Sequence, residues 1–208
     1  MFPVICQIGV FKVYSYFAAI IVAAVVAVGL FYIDLRRNGF SLQKSLSLII
    51  WPFLCGTLGL RLYYIILNFK YFVGHPAQLL DIKDGGFLWH GALIFGTATL
   101  VLITRIERVA FRKIADIVAP YLALNQAIAR FGCYLNGCCF GKEVIWGVYV
   151  PRYDKIFFPR QLFLIVGHVI IFCLLKRWKP KGKFAGQIFI SFLILDTLLK
   201  FTVDFFSR

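Results

Sequence analysis

The sequence predicts an all-α fold: a polytopic integral membrane helical bundle, one domain over residues 1–208, with about six transmembrane helices and ordered extracytoplasmic loops. Three observations carry that reading. Apolar residues make up 61% of the chain and charged ones only 15%. Six stretches approach the roughly 20 apolar residues that a bilayer crossing needs. The 23 Lys and Arg outnumber the 9 Asp and Glu, and the basic residues crowd into short alternate loops. This composition excludes a disordered chain, an ordinary water-soluble enzyme and a small secreted disulfide scaffold. With the surplus charge lying beside apolar spans, no nucleic-acid partner is expected.

Residues 14–33 carry no charge at all and form the cleanest span. The stretch is too long and too poorly flanked for a signal peptide, since only Lys12 precedes it and no small-residue cleavage site follows. The remaining spans are read over 45–67, 87–104, 115–135, 161–175 and 185–206. Between them, loops 34–44, 105–114 and 176–184 hold twelve basic residues, against eight in the longer segments of the opposite side. The positive-inside rule then places both termini outside the cytoplasm. Segments 68–86 and 136–160 carry Gly, Pro and Asp in patterns suited to ordered loops. Tyr71, Trp89, Trp146, Tyr149 and Tyr153 suit an aromatic belt at the outer interface.

A charge inside the bilayer costs at least a few kcal/mol, so intramembrane ionisable residues are candidate functional groups. Arg61, His90, Asp116, Arg130, His168, Asp196, Lys200 and Asp204 qualify. Arg61, Arg130 and Lys200 fall at comparable depth, and together they suggest an anion site in the outer leaflet. Arg presents a planar fork of donors that matches a phosphodiester, whereas Lys is a mobile point charge. A bland account stands beside each: Arg61 as a snorkelling side chain, and Asp196, Lys200 and Asp204, spaced i, i+4, i+8, as an internal ion-pair ladder. His90 has the titration range of a general base. His168, alone in an apolar helix, reads as structural.

Of six cysteines, Cys6, Cys55 and Cys173 read as small apolar fillers. Cys133, Cys138 and Cys139 lie within seven residues at a Gly-rich turn. Zinc would want a fourth ligand that the sequence does not supply, so no metal is assigned. A disulfide from Cys133 to Cys138 or Cys139, and a nucleophilic thiol activated by Arg130, both remain open.

These residues recur in the order and context of the prolipoprotein diacylglyceryl transferase family. The segment DIVAPYLALNQAIARFGCYLNGCCFGK resembles that family's signature, a DxxAP start leading to a Gly-rich turn. HGALIFG, following the DGG of DGGFLW, resembles its His-Gly-Gly loop, and GTLGLRLYYIILN its G-A-R-x-x-Y helix. PRQL and LLKFTVDFFSR are similar to two further family segments, and Tyr16 matches the tyrosine that opens the first helix.

The resemblance implies an enzyme of the bacterial cytoplasmic membrane that moves the diacylglyceryl group of phosphatidylglycerol onto the lipobox cysteine of a preprotein, releasing glycerol phosphate. It implies no cofactor. His90, Arg130, Lys200, Asp204 and Tyr16 become the expected catalytic residues. Arg130, Arg61, Lys200, Gly141 and Asn136 become the expected phospholipid contacts. Lys200 stands where the family usually has arginine, Asp204 where it has glutamate, and Cys133 and Cys138 where asparagine and glutamate are common. Phe158 and Leu164 flank PRQL where His and Glu are common, and Asp196 replaces a usual tyrosine. The chain stops at Arg208, before the family's usual last helix. A paralogous enzyme with another acceptor, and a phospholipid-binding or transporting protein without catalysis, are the alternatives.

Overall fold

Each of the six apolar stretches carries a helix in the computed structural model of the chain, which describes residues 4–8, 11–74, 89–151, 153–178 and 184–207. Lys83, the DGG at 84–86, Arg152, Lys179, Lys181, Lys183 and Arg208 lie outside the described residues. For residues 4–8, 11–14 and 89 the description is of backbone alone, so Cys6, Lys12 and the Trp89 ring lie outside it as well. A hairpin of β1 (Val4–Ile8) and β2 (Phe11–Tyr14) leads into α1 (Ser15–Arg37). Then come α2 (Leu42–Leu67), the short α3 (Phe69–Gly74), α4 (Trp89–Ile106) and α5 (Phe111–Asn136). A second antiparallel hairpin, β3 (Glu143–Val150) with β4 (Lys155–Phe157), precedes α6 (Arg160–Trp178) and α7 (Gln187–Ser207). Among the described residues α1, α2 and α6 are long and apolar enough to cross a membrane by length and composition. The apolar run in α4 is shorter, and α5 and α7 are interrupted by charge.

The backbone forms two compact units, one of residues 1–34 and 115–208, the other of residues 35–114. In the second unit α2 and α4 pack through glycines. A Cβ added to Gly59 would come within 2.7 Å of the Gly91 carbonyl oxygen, and one on Gly56 within 3.3 Å of the Ala92 oxygen. Small residues let two helix backbones approach closely, the usual solution where lipid tails remove any hydrophobic drive between helices. Ser41 caps α2 by accepting from the Lys44 amide at 3.3 Å. The Lys44 Nζ in turn donates to the Glu107 carbonyl at 2.9 Å.

In the first unit Ala119 and Ala123 of α5 meet Ile171 and Leu175 of α6 and Ile188 and Phe192 of α7. A smaller cluster joins Phe158, Leu164 and Val203. Two polar ties fix these helices. Buried Asp34 of α1 accepts from the Tyr121 hydroxyl at 2.5 Å and from Lys176 Nζ at 2.9 Å, and Lys176 also donates to Tyr121 at 2.8 Å. Asp34 and Lys176 were expected in inner loops; they instead tie together the ends of α1 and α6. The Asp116 carboxylate of α5 accepts the backbone amides of Gly186 at 2.6 Å and Phe189 at 3.0 Å, so a side chain of one helix caps the N-terminus of another. The negative charge also complements the positive end of the α7 dipole.

Outward faces are apolar: Ile21, Val25 and Phe201 are 63%, 66% and 70% exposed. Such surfaces, intolerable over this extent in water, suit a protein facing lipid.

Candidate active site

Helix α5 builds most of the site. Gln126, Ala129, Arg130, Cys133 and Asn136 recur at helical spacing and so share one face. That face lines a cavity of about 350 Å³. Tyr16 and Ile20, one turn apart on α1, close it from the side. Gly132 sets the distance between the two helices, because a Cβ there would lie 2.5 Å from the Ala19 Cβ. Cys138 and Cys139 complete the wall beyond the end of α5.

The way α5 ends explains how those two residues reach the cavity. Gly137 adopts φ +72°, its amide donates to the Tyr134 carbonyl at 3.2 Å, and the Cys138 amide donates to Cys133 at 3.1 Å. This pair of bonds around a left-handed glycine is the Schellman stop, which satisfies the last carbonyls and folds the chain back over its own helix. Gln161, fully buried at the start of α6, donates to the Cys138 carbonyl at 2.5 Å and holds the loop there. The Cys139 thiol is held down to about 5 by the hydrogen bond from Cys133, with further lowering from Cys138 and the positive charges of Arg130 and Arg160, against a desolvation that raises it. Burial pushes the Cys138 thiol up.

Arg130, half-buried at the cavity wall, has no carboxylate within ion-pair distance among the described residues. The other expected cation of this unit is differently placed. Lys200 Nζ lies 2.8 Å from Asp196 Oδ2. Asp204 pairs at 2.5 Å with Arg160 at the start of α6, so the i, i+4, i+8 ladder is half formed and its far carboxylate serves another helix. Gly141 lies beside both: its amide donates to Phe158 at 3.0 Å, and an added Cβ would meet the Ser207 Cβ at 2.9 Å. Close packing accounts for glycine at this position.

Asp196 has company that the spacing of residues did not reveal. Its Oδ1 faces His168 Nε2 at 2.9 Å and accepts from Gln126 Nε2 at 3.1 Å, while His168 Nδ1 lies 2.6 Å from the Leu164 carbonyl. The isolated histidine of α6 is therefore joined through Asp196 both to Lys200 and, by way of Gln126, to the cavity wall. His168, read from the sequence as alone in an apolar helix, is not solitary.

His90 and Arg61 belong to the unit of α2 and α4. His90 is exposed at the start of α4, its ring 6.5 Å from that of Tyr63. Arg61 stands 5.7 Å from both the Tyr64 and Phe72 ring centres, a cation held against aromatic faces.

A family model described as prolipoprotein diacylglyceryl transferase matches residues 3–208. Among curated relatives, phosphatidylglycerol–prolipoprotein diacylglyceryl transferases of Trichormus variabilis and Listeria innocua are 30% and 27% identical, over 97% of this chain and 77% of theirs. The enzyme of that name from Bacillus cereus is 30% identical over 95% of this chain and 78% of its own. The match spans nearly the whole sequence, and the chain belongs to the prolipoprotein diacylglyceryl transferase family.

Proposed function

We propose that this protein transfers the diacylglyceryl group of phosphatidylglycerol to the lipobox cysteine of a preprotein and releases glycerol phosphate. The observation that carries the reading is Arg130, a cation at a cavity wall with no carboxylate partner among the described residues. A half-buried guanidinium with no carboxylate beside it suits an anionic ligand, and a phosphodiester supplies one with matching bidentate geometry.

The reaction breaks the glyceryl C–O bond to phosphate and forms a C–S bond. The acceptor thiol loses its proton to a base, the role proposed for His90. Arg130 stabilises the charge that grows on the departing phosphate, and Lys200 and Arg61 are the further phospholipid contacts proposed on their own units. Tyr16 and Asn136 line the cavity where the lipid's glycerol would lie. Asp204 positions Arg160, and Gly141 keeps the loop against α7. In this reading the protein crosses the membrane six times as one domain, with both termini and the site outside the cytoplasm.

Purified protein, phosphatidylglycerol vesicles and a lipobox peptide test the proposal. A mass increase of one diacylglyceryl group on the peptide cysteine is expected. Absence of any adduct from protein that retains bound phosphatidylglycerol would overturn it.

A further inference from the structure

Diacylglyceryl transfer to the thiol of an external peptide makes no use of three thiols on the enzyme itself. The Sγ atoms of Cys133, Cys138 and Cys139 nevertheless lie within 4.8 Å of one another. Each arrives by a separate local device. Cys133 is buried on the last turn of α5. Cys138 is turned back by the Gly137 stop until its Sγ is 3.6 Å from the Cys133 carbonyl oxygen. Cys139 adopts φ +65°, a left-handed conformation that costs a residue with a Cβ about 1 kcal/mol. Glycine would be the unstrained choice there. Local strain that brings a reactive side chain into a cluster is a mark of function rather than of packing.

The donor chemistry narrows what the cluster takes. Sulfur ligands select soft ions such as cuprous copper and zinc. Zinc in structural sites wants four ligands, and the cluster offers three among the described residues. A trigonal ion with metal–sulfur bonds of about 2.3 Å would set its sulfurs about 4.0 Å apart, inside the observed limit. Three thiolates on a monovalent ion leave net negative charge, and Arg130 lines the same cavity to offset it.

We propose that Cys133, Cys138 and Cys139 form a three-sulfur site for a soft monovalent metal ion, cuprous copper, on the cavity wall that Arg130 also lines. The ion would stand beside the guanidinium, so its occupancy would block an anion from entering. This second site does not depend on the transferase reading, because binding is measured without any lipid or peptide.

The full chain in detergent, reduced and then freed of reductant without oxygen, is titrated with cuprous ion against a competing chelator. Retention of one copper per chain is expected, with X-ray absorption reporting three sulfur neighbours. Cys139→Ser, at an exposed position, should weaken retention by more than about tenfold, the low end of what even indirect ligand partners cost. Cys138→Ser should do the same, while Cys55→Ser and Cys173→Ser should bind as the unaltered chain does. Failure to hold copper against the chelator overturns the site, as does equal retention by Cys139→Ser. A Cys133 disulfide that survives the reduction also overturns it, since too few thiolates would remain.

Discussion

His168 Nε2 and Asp196 Oδ1 meet at 2.9 Å, pairing a fully buried imidazole of α6 with a carboxylate of α7. Asp196 simultaneously holds Lys200 and accepts from Gln126. Asp196→Ala therefore strands three partners at once, and loss of about 3–5 kcal/mol is expected, the range for breaking a buried pair from one side. Denaturant unfolding in detergent measures it. Asp196→Asn, which keeps hydrogen-bonding capacity, should lose less; equal stability of Asp196→Ala and the unaltered chain would contradict the pairing.

Arg130→Ala should lower kcat by about 10²–10³-fold, the usual cost of removing one preorganised donor from a developing anion. Arg130→Lys preserves charge but not the planar fork, so activity between the two is expected. Peptide mass analysis over time gives both rates. Activity of Arg130→Ala within a factor of about two of the unaltered enzyme would remove Arg130 from the site.

Gly141→Ala and Gly29→Ala make a matched pair. The first drives a Cβ against Ser207 at 2.9 Å and Phe158 at 3.1 Å and should cost about 1–3 kcal/mol. The second meets nothing within 4 Å in the middle of α1 and should gain up to about 1 kcal/mol from helix propensity. Thermal unfolding of both proteins in one detergent compares them directly.

Cys139 should alkylate at unusually low pH. Only the thiolate reacts, and with its titration held down to about 5 the thiolate dominates from there upward. In reduced, copper-free protein the iodoacetamide rate at Cys139 should be nearly flat from pH 6 to 8 and fall below pH 5, where the sulfur gains its proton. A free cysteine, with a pKa of about 8.5, instead gains reactivity across pH 7 to 9. Cys133→Ala removes the supporting hydrogen bond and should move the midpoint upward. Mass mapping of the labelled peptide follows the site; a midpoint unmoved by that substitution would refute the assigned cause.

Hydropathy made the helices legible, because a bilayer demands long apolar runs and tolerates little else. Observed α1, α5 and α6 extend beyond the predicted spans at both ends or at one, since polar residues continue a helix past the apolar stretch. The β3–β4 hairpin escaped notice. Its pairing depends on contacts such as Lys155 with Glu143 at 2.6 Å and Tyr149 with Asp154 at 2.6 Å, which no periodicity announces in eight residues and three. Arg130 stands out as a charge in an apolar span, but the cavity-lining face that it shares with Gln126 and Asn136 emerges only in the fold. The partners of Asp196 did not, because His168 and Gln126 come from other helices, 28 and 70 residues away along the chain.

The carboxylate of Asp116 is made 70 residues before the Gly186 amide that it caps. At ordinary rates of synthesis that interval is on the order of ten seconds. Throughout it, the backbone partners of the Asp116 side chain have not yet been translated. The cap is therefore a late latch: it can close only once the start of α7 has been made, although in the finished fold the bond joins two neighbours.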